Sequence, residues 1–182
     1  MAYQSEAQLE EQLIEQLKNQ NYNVVSLPDY DALLANFKEQ FEAFNAVNLN
    51  GKALSAKEWE RVLNYLNGKS IFESAKILRD KFVLERDDGT RPYLQLLSED
   101  HSKNRFQVTH QTTVVGKYTN RYDVTILVNG LPLVQIELKR RGVDIKEAVN
   151  QIMRYRKHSY NGLYHYIQTF IVSNGMDTKY FA

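Results

Sequence analysis

Two carboxylates and a lysine lie close together in one apolar stretch of the chain. Asp123, Glu137 and Lys139 all fall within the segment YDVTILVNGLPLVQIELK. The apolar runs on both sides of its Asn-Gly pair are rich in β-branched residues, which favours two strands. Because side chains alternate along a strand, Glu137 and Lys139 should share one face while Leu138 points to the other. The spacing therefore predicts an acid and an ammonium group side by side.

This set of residues could support hydrolysis of a phosphodiester. The reacting phosphate is anionic, and a hard divalent cation offsets its charge and lowers the pKa of a bound water. Mg²⁺ prefers oxygen ligands, which Asp123, Glu137 and the backbone carbonyl of Leu138 could supply. Lys139 could orient the attacking water or stabilise the transition state. A surface strand with an ordinary Glu–Lys pair would show the same spacing, so the spacing alone leaves both interpretations open.

Four helices are predicted before residue 81. Ser5, Ser55 and Ser70 each stand three residues before a Gln or Glu, the pattern of a capping box. The first of these helices should run to about Asn19. The segment 31–47 should form a further helix, because its large apolar residues follow helical spacing. These residues are Leu33, Leu34, Phe37, Phe41 and Phe44.

Strand patterns replace the helical ones after residue 81. The predicted strands are Phe82–Leu84, Phe106–Val115, Tyr122–Val128, Leu133–Lys139 and Ile167–Ser173. Asp144, with Glu147 three residues on, marks the start of a helix that should reach about His158. The order of these elements predicts an α/β domain with a central mixed sheet and a helical N-terminal segment.

The chain shows no repeat or linker that would divide it. We therefore expect one domain over residues 1–182, with residues 1–80 mainly helical and residues 81–182 forming the sheet and its helix. The sequence stops a few residues beyond an apolar strand, so we also expect it to be part of a longer protein. Gly68-Lys69-Ser70 resembles the end of a phosphate-binding loop, but the required upstream glycine is Leu63. We therefore predict no ATP site in this chain.

Composition excludes some classes of protein and leaves a local basic face possible. Apolar residues make up 43% of the chain, enough for a core, and the lack of cysteine excludes disulfides and thiolate chemistry. No apolar run approaches a membrane span, and a reducing cytoplasm fits. The net charge is only +1, yet basic residues cluster between positions 139 and 157. The cluster consists of Lys139, Arg140, Arg141, Lys146, Arg154, Arg156 and Lys157. A solvated helix surface would account for it equally well.

The turn between the two central strands sets a geometric condition on the site. Asn129-Gly130 favours a two-residue hairpin turn, in which Asp123 would lie opposite Ile136 and face away from Glu137. A shift of one residue reverses this relation. A shared metal site therefore requires an odd-length loop or a β-bulge between Asp123 and Glu137, against the turn that the local sequence favours.

In its wider context, the segment resembles a known group of nucleases. Asp123, Glu137 and Lys139 match the PD-(D/E)xK motif, with Tyr122 in place of its proline. The segment 151–155, QIMRY, is similar to the QxxxY motif of one branch of that superfamily. Together with QSEAQLEEQLIEQLKNQNY at the start and FQVTHQTTV upstream, these segments closely resemble the N-terminal part of type I restriction enzyme motor (R) subunits. The resemblance covers nearly the whole chain, and residues 28–80 contribute least.

The resemblance implies a restriction-endonuclease-like fold and Mg²⁺-dependent cleavage of double-stranded DNA by a cytoplasmic restriction system. Such subunits join the nuclease domain to ATP-driven translocase domains and act with specificity and methyltransferase subunits. ATP would then bind only outside this chain. A free-standing resolvase-like or repair nuclease, and an inactive DNA-binding module of the same fold, remain alternatives. Retention of all three motif residues argues against the inactive module.

Further residues become candidates beside the motif. Glu6 and Glu10 fall on the apolar stripe of the first predicted helix, where a carboxylate needs a partner. Glu10 matches a metal-site glutamate of related Holliday-junction resolvases, so we predict it as a further metal ligand. Gln151 and Tyr155 share one helix edge and could hydrogen-bond to the catalytic strand or to DNA. A helix packed through the tyrosine ring would give the same spacing. Arg140, Arg141 and Arg154 are predicted to contact phosphates.

Overall fold

The computed structural model describes residues 4–115, 119–158 and 162–182, without the side chains of residues 156–158. The N-terminal half holds helices α1 (Glu6–Asn19), α2 (Tyr30–Phe44), α3 (Ala56–Leu66) and α4 (Ile71–Ile77). Strands β1 (Asn23–Val24), β2 (Lys81–Val83) and β3 (Tyr93–Gln95) also lie there. The second half holds β4 (Phe106–Val115), β5 (Thr119–Val128), β6 (Leu131–Leu138), α5 (Ile145–His158), β7 (Thr169–Ser173) and β8 (Thr178–Phe181). Short 3₁₀ helices span His101–Lys103 and Gly162–Tyr166.

The predicted helices are confirmed, because local signals define their ends. Ser5, Ser55 and Ser70 each accept a hydrogen bond from the backbone three residues on and complete a capping box. Helix α2 ends at Phe44, short of the predicted residue 47. Its end is fixed by Asn45, whose side-chain amide donates to the carbonyls of Phe41 and Gln95. Among the described residues, no helix is long and apolar enough to cross a membrane.

The predicted mixed central sheet is confirmed as six strands in the order β1-β4-β5-β6-β7-β8. The pairs β1–β4 and β6–β7 are parallel, and the other neighbours are antiparallel. A separate hairpin pairs β2 with β3. Helix α5 connects β6 to the parallel strand β7 as a crossover, and this places it against one face of the sheet. The architecture agrees with a restriction-endonuclease-like α/β fold.

Each face of the central sheet is covered by helices. On one face, Leu17 of α1 packs in a small cluster with Val124 of β5 and Leu138 of β6. The opposite face meets α2 and α5 in a larger core that includes Phe37 and Ile152, both almost fully buried. β6 and the second half of β5 are therefore covered on both sides, and their polar residues Thr125, Gln135 and Glu137 lie away from bulk water.

Several predicted strand limits need correction. β6 begins at Leu131 and ends at Leu138, so Lys139 follows the strand instead of ending it. β7 begins at Thr169, because the residues before it form a 3₁₀ helix. The first predicted strand is shifted by one residue to Lys81–Val83. Strands β1, β3 and β8 were not predicted, since each has only two to four residues and is defined by pairing with a distant neighbour.

The hairpin between β5 and β6 meets the condition set by the sequence. Asn129 and Gly130 both have positive φ, 51° and 81°, as a two-residue type I′ turn requires. The register then shifts by one, because Leu133 is the extra residue between the pairs Leu127–Pro132 and Ile126–Val134. The required β-bulge is thus present. The expectation that the two-residue turn is absent is wrong. The turn is intact, and the bulge beside it supplies the one-residue shift in register.

Candidate active site

The bulge brings Asp123 and Glu137 together. The β5–β6 pairing runs as far as Val124 and Ile136, so the next residues, Asp123 and Glu137, come opposite each other. The carboxylate of Asp123 accepts a hydrogen bond from the backbone N–H of Leu138 at 2.8 Å. Asp123 therefore bridges the point at which the backbone pairing of the two strands ends.

The carbonyl of Leu138 lies on the same side of its strand as that N–H. In a strand, both backbone polar groups of a residue point toward the same neighbour, and Leu138 directs its N–H toward Asp123. Lys139 directs its own backbone N–H the other way, to the carbonyl of Ser173 at 2.9 Å. Asp123, Glu137 and the Leu138 carbonyl therefore lie at the same end of the β5–β6 pairing, and their role as metal ligands stays a prediction.

Both carboxylate oxygens of Glu137 are held by side-chain amides. Gln135 donates to Oε1 at 3.1 Å, and Gln151 of α5 donates to Oε2 at 2.7 Å. The same Gln151 amide nitrogen lies 2.7 Å from the hydroxyl oxygen of Tyr155. Glu137 has no exposed surface. Its carboxylate is therefore fixed from the sheet and from the helix at once.

The site holds two acids side by side, the fully buried Glu137 and the partly buried Asp123. Burial, and then the negative charge of Asp123, raises the pKa of Glu137 to about 9. Burial also raises the pKa of Asp123, although the N–H of Leu138 and the ammonium of Lys139 act in the opposite direction. Lys139 lowers the pKa of Glu137 as well. The lysine is thus close enough to act on both carboxylates.

This donor set fits a hard divalent cation. Asp123 and Glu137 supply carboxylate oxygens, and burial, acting first, raises the pKa of both. Among the described residues, no three His, Cys, Asp or Glu side chains form a ready metal cluster. Mg²⁺ commonly needs only one or two carboxylates and completes its shell with water and phosphate oxygens. Two carboxylates beside a backbone carbonyl match that preference.

Glu10 is placed near the site but has partners of its own. One of its oxygens lies 2.8 Å from Nδ1 of His110, and the other accepts a hydrogen bond from the Gln111 side chain. Glu10 and Glu6 both raise the pKa of Asp123 through their charge. Glu6 also accepts a hydrogen bond from the backbone N–H of Arg140 at 3.2 Å. A metal-ligand role for Glu10 stays a prediction.

Tyr155 belongs to an aromatic cluster behind the site. Its ring is buried and meets Tyr122 edge-on at a centroid distance of 5.1 Å, and Tyr122 also packs on Tyr164 at 4.5 Å. Burial raises the pKa of Tyr155, so its hydroxyl stays protonated. The Tyr155 ring is therefore packed in the protein interior, as expected for a helix that packs through its tyrosine. Its hydroxyl contacts the Gln151 amide that holds Glu137.

The described basic residues of the predicted cluster after Lys139 are exposed. Arg140 and Arg141 are exposed in the loop after β6, and Arg154 is exposed on α5 with its guanidinium 5.6 Å from the Tyr155 ring. Lys146 is exposed as well. The predicted contributions of Arg156 and Lys157 lie outside the described side chains. The exposed guanidinium groups are accessible to phosphates.

Sequence reasoning missed Gln135 and Thr125. Gln135 is fully buried, donates to Glu137, and accepts a hydrogen bond from the Thr125 hydroxyl at 3.0 Å. A signal existed, because Gln135 interrupts an apolar strand two residues before Glu137 and so shares its face. A buried amide at such a position needs partners, and one of them is the catalytic candidate.

The chain is similar to known proteins of one family. The model of the family described as type I restriction enzyme R protein N terminus matches residues 3–182. A type I restriction enzyme endonuclease subunit of Staphylococcus saprophyticus is 55% identical over the whole chain, and one of Staphylococcus aureus is 54% identical. The endonuclease subunit of the type I restriction enzyme EcoprrI of Escherichia coli is 45% identical. The chain spans 20% of the staphylococcal relatives and 59% of the E. coli one. With the family model matching nearly every residue, the chain belongs to the type I restriction enzyme R protein N-terminal family.

Proposed function

We propose that this chain is the nuclease domain of a type I restriction enzyme R subunit and cleaves double-stranded DNA with Mg²⁺. The observation that carries the proposal is the placement of two carboxylates, those of the fully buried Glu137 and the partly buried Asp123, at the point where β5 and β6 stop pairing. Lys139 lies beside them and lowers the pKa of both. Burying two acids together is costly, and a bound cation would offset their negative charge.

Each residue of the site would have a separate role in cleavage. Asp123, Glu137 and the Leu138 carbonyl would hold Mg²⁺, which supplies charge neutralisation and an activated water. Gln135 and Gln151 keep the Glu137 carboxylate in one orientation through two amide hydrogen bonds. Lys139 offers its ammonium to the scissile phosphate, where it orients the attacking water or stabilises the added negative charge. Arg140, Arg141 and Arg154 bind neighbouring phosphates without reading bases.

The relatives support the wider setting of the proposal. Their names describe endonuclease subunits of type I restriction enzymes, and this chain spans only a part of their length. We infer that the chain acts within a longer subunit, whose ATP-driven domains lie outside these residues. That subunit would work in a complex with specificity and methyltransferase subunits.

Alanine variants of the three motif residues test the proposal. Asp123→Ala, Glu137→Ala and Lys139→Ala should each abolish DNA cleavage by the full restriction complex, because each removes a metal ligand or the cation at the phosphate. Glu60→Ala and Lys57→Ala are matched controls, since both residues are exposed and lie on α3, which contributes no residue to the site. Near wild-type cleavage by any of the three motif variants would refute the assignment.

Metal binding separates a nuclease from an inactive DNA-binding module of the same fold. Calorimetric titration with Mg²⁺ should show a binding event that is present in the wild-type protein and absent from Asp123→Ala and Glu137→Ala. The carboxylate variants should remain folded, because each relieves like-charge repulsion in the metal-free state. Identical Mg²⁺ titrations for all three proteins would favour the inactive module.

A further inference from the structure

Gln111 has an unusual backbone conformation in the middle of strand β4. Its φ is +56°, in the left-handed region that side-chain-bearing residues seldom adopt. In the described chain, the other non-glycine residues with positive φ are Asn21, Asn50 and Asn129, which all lie in turns and are of a type that tolerates this region. A glutamine held in this way inside a strand marks a position where the surrounding structure imposes the conformation.

The pairing between β4 and β5 is interrupted at this residue. The ladder runs from Phe106–Val128 to His110–Val124 and resumes at Thr112–Tyr122. The register is the same on both sides of the gap, so the unpaired partners are Gln111 and Asp123. The unusual backbone of β4 therefore lies directly opposite the first carboxylate of the site.

Side-chain alternation also fails here on both strands. On β4, the neighbours His110 and Gln111 both reach Glu10 of α1, although adjacent strand residues normally point to opposite faces. On β5, Val124 packs with the α1 cluster, while Tyr122 packs against Tyr155 of α5. In a regular strand, Val124 and Tyr122 would share a face because they are two residues apart. The alternation of side chains between the two faces of the sheet is therefore interrupted at the same place on both strands, at Gln111 of β4 and Asp123 of β5.

We propose that Gln111 is a positioning residue of the nuclease site, and that its left-handed backbone releases Asp123 from β4 so that the carboxylate turns toward β6. The proposal rests on the proposed function. Freed from the ladder, Asp123 accepts its hydrogen bond from the N–H of Leu138 on the other neighbouring strand. A regular pair at this position would continue the ladder and return Tyr122 to the α1 face, away from Tyr155.

The Gln111 side chain explains why glycine does not occupy the position. Its amide donates to one oxygen of Glu10, while His110 meets the other oxygen. This contact ties α1 to the strand beside the site and keeps a third carboxylate near Asp123. The backbone sets the direction of Asp123, and the amide fixes the helix that lies over it.

Substitutions can separate the backbone from the side chain. Gln111→Val disfavours positive φ, because a β-branched residue is strained there, and it should lower Mg²⁺ affinity and DNA cleavage by about 10- to 100-fold. Gln111→Gly takes the conformation at no steric cost and loses only the contact with Glu10, so its loss in both measurements should be clearly smaller than that of Gln111→Val. Mg²⁺ binding is measured by calorimetry on the full-length protein without nucleotide, with Asp123→Ala as the subtracted background. Cleavage is measured in the complete restriction complex.

Thr113 provides matched controls on the same strand. It pairs regularly with Arg121, so Thr113→Val should be tolerated and Thr113→Gly should be the more disruptive change. Glycine should therefore be better tolerated than valine at position 111, and valine better tolerated than glycine at position 113. Thermal unfolding of each variant identifies any that fails to fold.

The outcomes distinguish this inference from the proposed function. Loss in folded Gln111→Val with rescue in Gln111→Gly supports the positioning role. Wild-type Mg²⁺ binding and cleavage in Gln111→Val, or equal loss in folded Gln111→Val and Gln111→Gly, would overturn it. If Asp123→Ala itself cleaves DNA normally, the proposed function fails instead, whatever the Gln111 variants show.

Discussion

The buried carboxyl of Glu137 makes the metal-free protein sensitive to pH in a direction that can be calculated. Its pKa is raised from 4.5 to about 9, first by burial and then by Asp123. Between these values the native state keeps a proton that the unfolded chain has released, so the free energy of unfolding falls as pH rises. Glu137→Gln removes this ionisation. The variant should therefore gain stability relative to wild type as the solution becomes more alkaline.

The size of the effect follows from the pKa shift. Each pH unit above 4.5 favours the unfolded wild-type chain by about 1.4 kcal/mol, which gives about 4 kcal/mol over the three units to about pH 7.5. The variant loses one acceptor oxygen facing Gln135 or Gln151, a cost of about 1 kcal/mol that does not depend on pH. We expect Glu137→Gln to be slightly less stable than wild type near pH 4.5 and about 3 kcal/mol more stable near pH 7.5.

Urea unfolding at a series of pH values, without divalent cations, measures this difference. The exposed Glu147→Gln on α5 is the control and should follow the wild-type curve at every pH. Addition of Mg²⁺ should stabilise the wild type and leave Glu137→Gln nearly unchanged, because a ligand stabilises only the protein that binds it. A difference between wild type and Glu137→Gln that stays constant with pH would show that Glu137 is not a strained buried acid.

Three other perturbations have defined outcomes. Gly130→Ala should lower the free energy of unfolding by about 1–3 kcal/mol, because the new Cβ would lie 2.8 Å from the backbone of α2 at a positive φ. Gly89 also has a positive φ but open space around it, so Gly89→Ala should lower the free energy of unfolding less. Urea unfolding measures both variants. Arg86→Ala should lower the free energy of unfolding by about 3–5 kcal/mol in the same assay, because it leaves the buried Glu58 without its ion pair. Replacing both Arg86 and Glu58 with apolar residues should lower it less. Arg154→Ala should reduce the salt dependence of DNA affinity by about one phosphate contact, as measured by the slope of binding against salt concentration. An unchanged slope would exclude Arg154 from the DNA interface.

The parts of the fold that the sequence predicts well are those with local causes. Capping boxes fix the start of three helices within a few residues, and β4 has the predicted limits Phe106–Val115. The unpredicted strands depend on partners far along the chain. Asn23–Val24 is exposed and shows no alternation, and it becomes a strand only by pairing with Gln107 and Val108 of β4. No pattern within two residues could carry that information.

The site follows the same division. Asp123, Glu137 and Lys139 could be proposed as site residues because strand spacing and chemical type are properties of the sequence. The bulge at Leu133 was predicted only as a condition for the site, although the neighbouring Pro132 is a local signal, because a central strand tolerates proline at a bulge. The role of Gln135 depends on the Thr125 hydroxyl and on full burial, and neither is visible before the strands are paired.

The bulge at Leu133 also determines which insertions and deletions the protein can tolerate. Removing one residue between Val124 and Ile136 would restore regular pairing and turn the two carboxylates to opposite faces of the sheet. Removing two would keep their facing but shorten the turn that packs on α2. The length of this hairpin is therefore constrained by parity, whereas surface loops elsewhere in the chain are constrained only by reach. A change of length here would be accommodated only with a second, compensating change in the same hairpin.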